Sequence, residues 1–163
     1  MKNLAATLNH KGKNYSLTDL QEIPKTINNL ERRVFDARLK GASFSEIENP
    51  KWNIDQIIIR GAAICGCAVP ATEFFADIIS EEITRFILDF GYGQLTYEEI
   101  LLAMRMNAKG DYHYIIGLEI EPVTFFGTSF NVEYFGKLLR NYKVVRNQLD
   151  RKLMNHIDGY ANH

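Results

Sequence analysis

The sequence predicts an all-α fold: one compact domain of five or six helices, with an irregular aromatic loop or small β-hairpin at about 111–130. Three observations carry this. Apolar residues recur at spacings of three and four over most of the chain. Capping residues precede these runs and glycines follow them. The one long strand-type stretch, 111–130, supplies at most two short strands, which are marginal without further pairing.

The elements follow in order. Residues 1–14 are polar and read as a loosely attached arm, so the helical domain is expected over 15–160. Ser16 to Glu22 reads as a helical turn that Pro24 interrupts. Thr26 to Lys40 carries the stripe Ile27, Leu30, Val34 and Leu39, and Gly41 stops it. Ser43 and Glu46 have capping-box spacing for a short helix. Ile54 to Ile64 forms a compact apolar helix with Gly66 as its C-terminal cap. The run of small residues Gly61, Ala62 and Ala63 suits a close crossing by another helix of the same domain.

Pro70 is expected to open the next helix. Phe74, Phe75, Ile78, Ile79, Ile83, Phe86, Ile87 and Phe90 predict one broad buried face on it, and Gly91-Tyr92-Gly93 ends it. Thr96 and Glu99 then form a capping box, with Leu95 and Ile100 at the positions of a hydrophobic staple and Gly110 closing the helix. From Asn131 to about Ile157 a last helix shows the stripe Phe135, Leu138, Leu139, Tyr142, Val145, Leu149 and Leu153.

Composition excludes several classes. The chain has 163 residues, 46% of them hydrophobic and 24% charged, which is ordinary globular usage and not that of a disordered chain. No uncharged apolar window of about 18 residues predicts a transmembrane helix, and the start lacks the apolar core of a signal peptide. With only Cys65 and Cys67, two positions apart, no disulfide framework is expected, and the chain reads as cytoplasmic and reduced.

The net charge of -1 conceals segregation. Residues 1–40 hold eight basic and four acidic side chains, 41–99 three and ten, 100–135 two and four, and 136–163 six and two. A basic beginning and end therefore flank an acidic middle. Lys137, Arg140, Lys143 and Arg146 succeed one another three apart on the last helix, opposite its stripe, and are the candidate contacts to DNA backbone phosphates. Asp77, Glu81, Glu82 and Asp89 are the candidate partner-binding acids.

Other constellations read more simply as structure. Cys65-Gly66-Cys67 offers two thiols where zinc needs about four ligands, and His10, His113, His156 and His163 lie far from it in sequence. Asp111, His113, Glu119 and Glu121 are a possible acid–base or cation group, but no motif fixes their geometry. Gly91-Tyr92-Gly93 follows a helix rather than a strand and lacks the third glycine of a phosphate loop. No metal, cofactor or catalytic residue is therefore expected.

One resemblance adds to this reading. Leu95-Thr96-Tyr97-Glu98-Glu99-Ile100, then Ala103 and Gly110, precede an aromatic-bearing gap. Phe130-Asn131-Val132-Glu133-Tyr134-Phe135, Leu138-Leu139, Tyr142 and Arg146 follow it. This pattern, with Gly66 and Pro70 in its helical lead-in, resembles a module of bacteriophage and mobile-element replication proteins over residues 66–146. It implies a small non-enzymatic accessory factor of the helicase-loader or initiator kind, binding DNA, a replication protein such as a helicase, or both. The alternative from the residues alone is a self-associating structural or regulatory protein, a homo-oligomer with no membrane contact.

Overall fold

The structure, a computed structural model, describes residues 4–20, 24–70, 72–110, 112 and 120–161. These form a hairpin of β1 (Thr7–His10) and β2 (Lys13–Ser16), followed by α1 (Asn29–Arg38), α2 (Lys51–Cys65), α3 (Glu73–Asp89), α4 (Tyr97–Lys109) and α5 (Val132–Ala161). The chain is thus mostly helical, but the hairpin means that it is not strictly all-α. Among the described residues, no helix is long and apolar enough to cross a membrane.

The first correction concerns the expected N-terminal arm. Its Lys11-Gly12 pair adopts positive φ at both positions, 52° and 79°. That is the backbone hand a two-residue hairpin turn needs. Thr7 therefore pairs with Ser16 and His10 with Lys13. Ala5 and Leu8 are buried. The Arg38 guanidinium on α1 donates from Nε to the Ala5 carbonyl at 2.7 Å. His10 Nε2 meets Asp158 on α5 at 2.8 Å, and Lys11 adds a second pairing at 3.3 Å. The segment reads as polar because its outer face is polar, yet its inner face is packed.

Residues of α5 form the spine of the core. Phe135, Leu138, Leu139, Tyr142, Val145, Leu149 and Leu153 are all fully buried, as the stripe predicts. Asn131 caps the helix by accepting from the Tyr134 N–H at 2.8 Å. On α4 both halves of the Thr96–Glu99 capping box are present, and Gly110 closes the helix in the left-handed region. Gly66 does the same for α2. At Gly61 a Cβ would lie 2.6 Å from the Phe130 ring and 2.8 Å from the Met104 sulfur, so α4 crosses α2 at the small residues. Gly136, mid-helix in α5, seats the Phe86 ring in the same way, with a Cβ falling 2.8 Å from it.

Residues 120–130 form an irregular loop. Asn107 on α4 clamps it by donating to the Val123 carbonyl at 3.0 Å and accepting from its N–H at 2.7 Å. An isolated parallel bridge joins Ser129 to Ala68. The rest of the expected 111–130 loop or hairpin lies outside the described residues, except for the buried Tyr112.

The second correction is at α3. Pro70 does not open this helix. Thr72 caps it, accepting from the Phe75 N–H at 3.1 Å. Nor is its apolar face one broad buried surface. Ile83 and Ile87 are buried, but Phe74, Phe75, Ile78, Leu88 and Phe90 are exposed.

Candidate partner-binding surface

The geometry of an α-helix explains the exposure on α3. Phe74 and Ile83 are nine residues apart, so at about 100° per residue they point in opposite directions. Ile83 and Ile87 face α2 and α5, and Ser80 on the same side donates to Asp55 of α2 at 3.1 Å. Phe74 and Ile78, one turn apart, head an outward stripe with Phe75 beside them, exposed by 76%, 38% and 45%. The helix is apolar on two faces, and the fold covers one of them. An uncovered apolar strip rimmed by charge is the usual mark of an interaction surface.

The rim is acidic. Asp77 and Glu81 lie along one edge of the strip, and Glu82 lies within its arc, one turn past Ile78. Glu81 pairs with Arg85 at 3.0 Å, one turn along. Asp77 is 3.9 Å from Lys51 of α2. Glu82 and Asp89 make no ion pair among the described residues. An open groove of about 490 Å³ runs beside the rim, between the start of α2 and α3, lined by Pro50, Lys51, Asp77, Ser80, Glu81 and Arg85. All four acids read from the sequence as partner-binding are thus on the exposed side of α3. The aromatic and aliphatic residues beside them, Phe74, Phe75 and Ile78, read from the sequence as core, because each also fits a core spacing.

The basic face of α5 is less coherent than its spacing suggests. Lys137 is exposed and pairs with Glu133 at 2.8 Å, holding that carboxyl below its usual range. Arg140 is exposed with no ion pair among the described residues. The Lys143 ammonium donates to the Gly91 carbonyl at 2.9 Å and sits 5.2 Å from the centre of the Tyr92 ring. It pins the α3–α4 turn to α5.

Arg146 is not on the surface at all, which corrects its assignment to a DNA-contacting face. It is 5% exposed. Its Nε donates to Glu99 Oε1 at 2.8 Å, and the Tyr142 hydroxyl donates to the same oxygen at 2.9 Å. Glu99 Oε2 meanwhile accepts from the Thr96 N–H at 2.9 Å. Burial disfavours the guanidinium charge, but Glu99 more than offsets it and holds the Arg146 pKa above its usual value. Burial, followed by the Glu99 charge, drives the Tyr142 hydroxyl well above the ordinary tyrosine range. One turn on, Asp150 receives Arg38. These are satisfied buried charges that tie α1, α4, α5 and the N-terminal segment together.

The remaining constellations acquire no site. Cys65 and Cys67 are free and half-buried, and burial, with Cys65 alongside, pushes the Cys67 thiol up to about 11. A thiol held protonated in this way is a poor nucleophile at neutral pH. Asp111, His113 and Glu119 lie outside the described residues. Among the described residues no group of three or more His, Cys, Asp or Glu is placed to hold a metal ion. No family model matches the chain, and neither the curated proteins nor the solved structures contain a significant match.

Proposed function

We propose that this chain is a non-enzymatic interaction protein and that the outward face of α3 binds its partner. The exposed strip Phe74, Phe75 and Ile78, with Asp77, Glu81 and Glu82 beside it, carries this reading. The residues that resemble phage and mobile-element replication proteins support a cytoplasmic replication factor, such as a helicase, as that partner. Most of those residues are buried, including Leu95, Glu99, Ile100, Leu138, Leu139, Tyr142 and Arg146, so within this chain they build the scaffold that presents α3.

A secondary contact with DNA backbone is confined to Lys137 and Arg140, the two exposed cations of the original four. Affinity purification from the native host tests the main reading. A protein enriched with the wild type should be lost with Phe74→Ser/Phe75→Ser/Ile78→Ser and kept with Lys137→Ala/Arg140→Ala. Retention by the α3 variant would refute the assignment of the surface.

A further inference from the structure

Resting on the reading of α3 as the docking element, we infer that its occupant is an amphipathic helix of another protein whose apolar stripe is flanked by Lys and Arg. The charge on α3 selects this chemistry. The helix carries Glu73, Asp77, Glu81, Glu82 and Asp89 against one cation, Arg85, which Glu81 already engages. Phe74 and Ile78 stand exposed one helical turn apart, forming a ridge of the i, i+4 kind that packs against the apolar side of another helix. With Asp77 and Glu81 along one edge and Glu82 one turn past Ile78, cations beside the incoming stripe meet carboxylates at the edge of the strip and at its C-terminal end.

Other occupants are disfavoured by the same charges. A second copy packing α3 on α3 would bring acidic rims together, and like charges across an interface suppress that pairing. DNA and anionic lipid headgroups are repelled for the same reason. Glu82 and Asp89, which make no ion pair among the described residues, give up none to receive a basic partner. The pairs Glu81–Arg85 and Asp77–Lys51 are exposed and cheap to exchange.

The experiment is a selection of helical peptides against the intact chain. The library fixes one apolar stripe at i, i+3, i+4 and i+7 and varies the flanking positions evenly among Lys, Glu and Gln. Lysine should be enriched at the flanks. The selected peptides should bind at least about tenfold more weakly to Phe74→Ser/Phe75→Ser/Ile78→Ser, which removes the anchors. They should lose most of their salt dependence on Asp77→Asn/Glu81→Gln/Glu82→Gln, which keeps size and removes charge. Circular dichroism of both variants confirms that they remain folded.

Enrichment of neutral or acidic flanks overturns the inferred chemistry while leaving α3 as the docking element, provided the anchor variant abolishes binding. No enrichment, or equal binding to the anchor variant, overturns this inference. If the anchor variant also retains the host protein, the reading of α3 falls with it. Sedimentation of the wild type alone covers the remaining case: a dimer that the anchor variant dissolves makes the occupant a second copy and overturns the proposal.

Discussion

Glu99 and Arg146 show how one residue can be legible in part. Thr96 and Glu99 three apart announce a capping box, and the box is present. That Glu99 is also fully buried and holds Arg146 and Tyr142 depends on α5, more than forty residues away, crossing at that point. A local signal exists for Arg146 nonetheless. It lies four residues after Tyr142 and three before Leu149, squarely on the apolar stripe. Its charge suggested a surface role, whereas its spacing pointed inward. Arg146→Ala should therefore destabilise the fold by about 3–5 kcal/mol, since it leaves Glu99 charged and unpaired in the core. Arg140→Ala should stay within about 0.5 kcal/mol. Denaturant titration separates the two.

Asp158 sets a pH dependence at the same scale. Its hydrogen bond to His10, aided by Lys11, holds the carboxyl below its ordinary value of 3.8. The folded state thus favours the charged form, and the resulting stabilisation is present above that value. It is lost as pH falls through the lower folded-state pKa. Glu46 behaves alike, lowered mainly by the Ser43 hydroxyl, and it accepts from the Leu4 N–H. On acidification the hairpin should loosen from α5 before the helices melt. The amide resonances of Leu8 and Asn9 report this, and Asp158→Asn should show the loosened spectrum at neutral pH.

At the scale of elements, helix periodicity located α1, α2, α4 and α5, but it does not say how much of an apolar helix the fold will cover. Helix α3 is apolar at positions pointing in opposite directions, and only tertiary context decides which set is buried. Phe74→Ser/Phe75→Ser/Ile78→Ser should cost less than about 1.5 kcal/mol, being at exposed positions. Ile83→Ala, on the covered face, should cost about 2–5 kcal/mol. Equal losses from the two variants would mean that the outward strip is structural. The hairpin escaped notice for a different reason: its strands are four residues each, and its turn, Lys11-Gly12, lacks the Asn-Gly signature of a positive-φ pair. On α5 the regular spacing of four cations hides three different environments. With two cations exposed and available, the logarithm of any DNA affinity should fall with the logarithm of salt at a slope no steeper than about 2. A slope near 4, which four phosphate contacts would give, would contradict the placement of Arg146 and Lys143.

Over the whole molecule, the charge segregation seen in the sequence turns out to do two separate things. Part of the basic complement goes inward, as Arg38, Arg146 and Lys152 engage Asp150, Glu99 and Glu31 and bind the helices to one another. The acids of α3 face outward beside uncovered apolar side chains, so the acidic middle has a surface to act from. The structure thus pairs an interior tied by buried ion pairs with an apolar face of α3 left without a cover. Site-specific photo-crosslinking in the native host tests that claim most directly, with a photoreactive residue at position 78 on α3 or at position 140 on α5. The account predicts a discrete adduct with another protein from position 78 and none from position 140. Adducts from position 140 alone would contradict it.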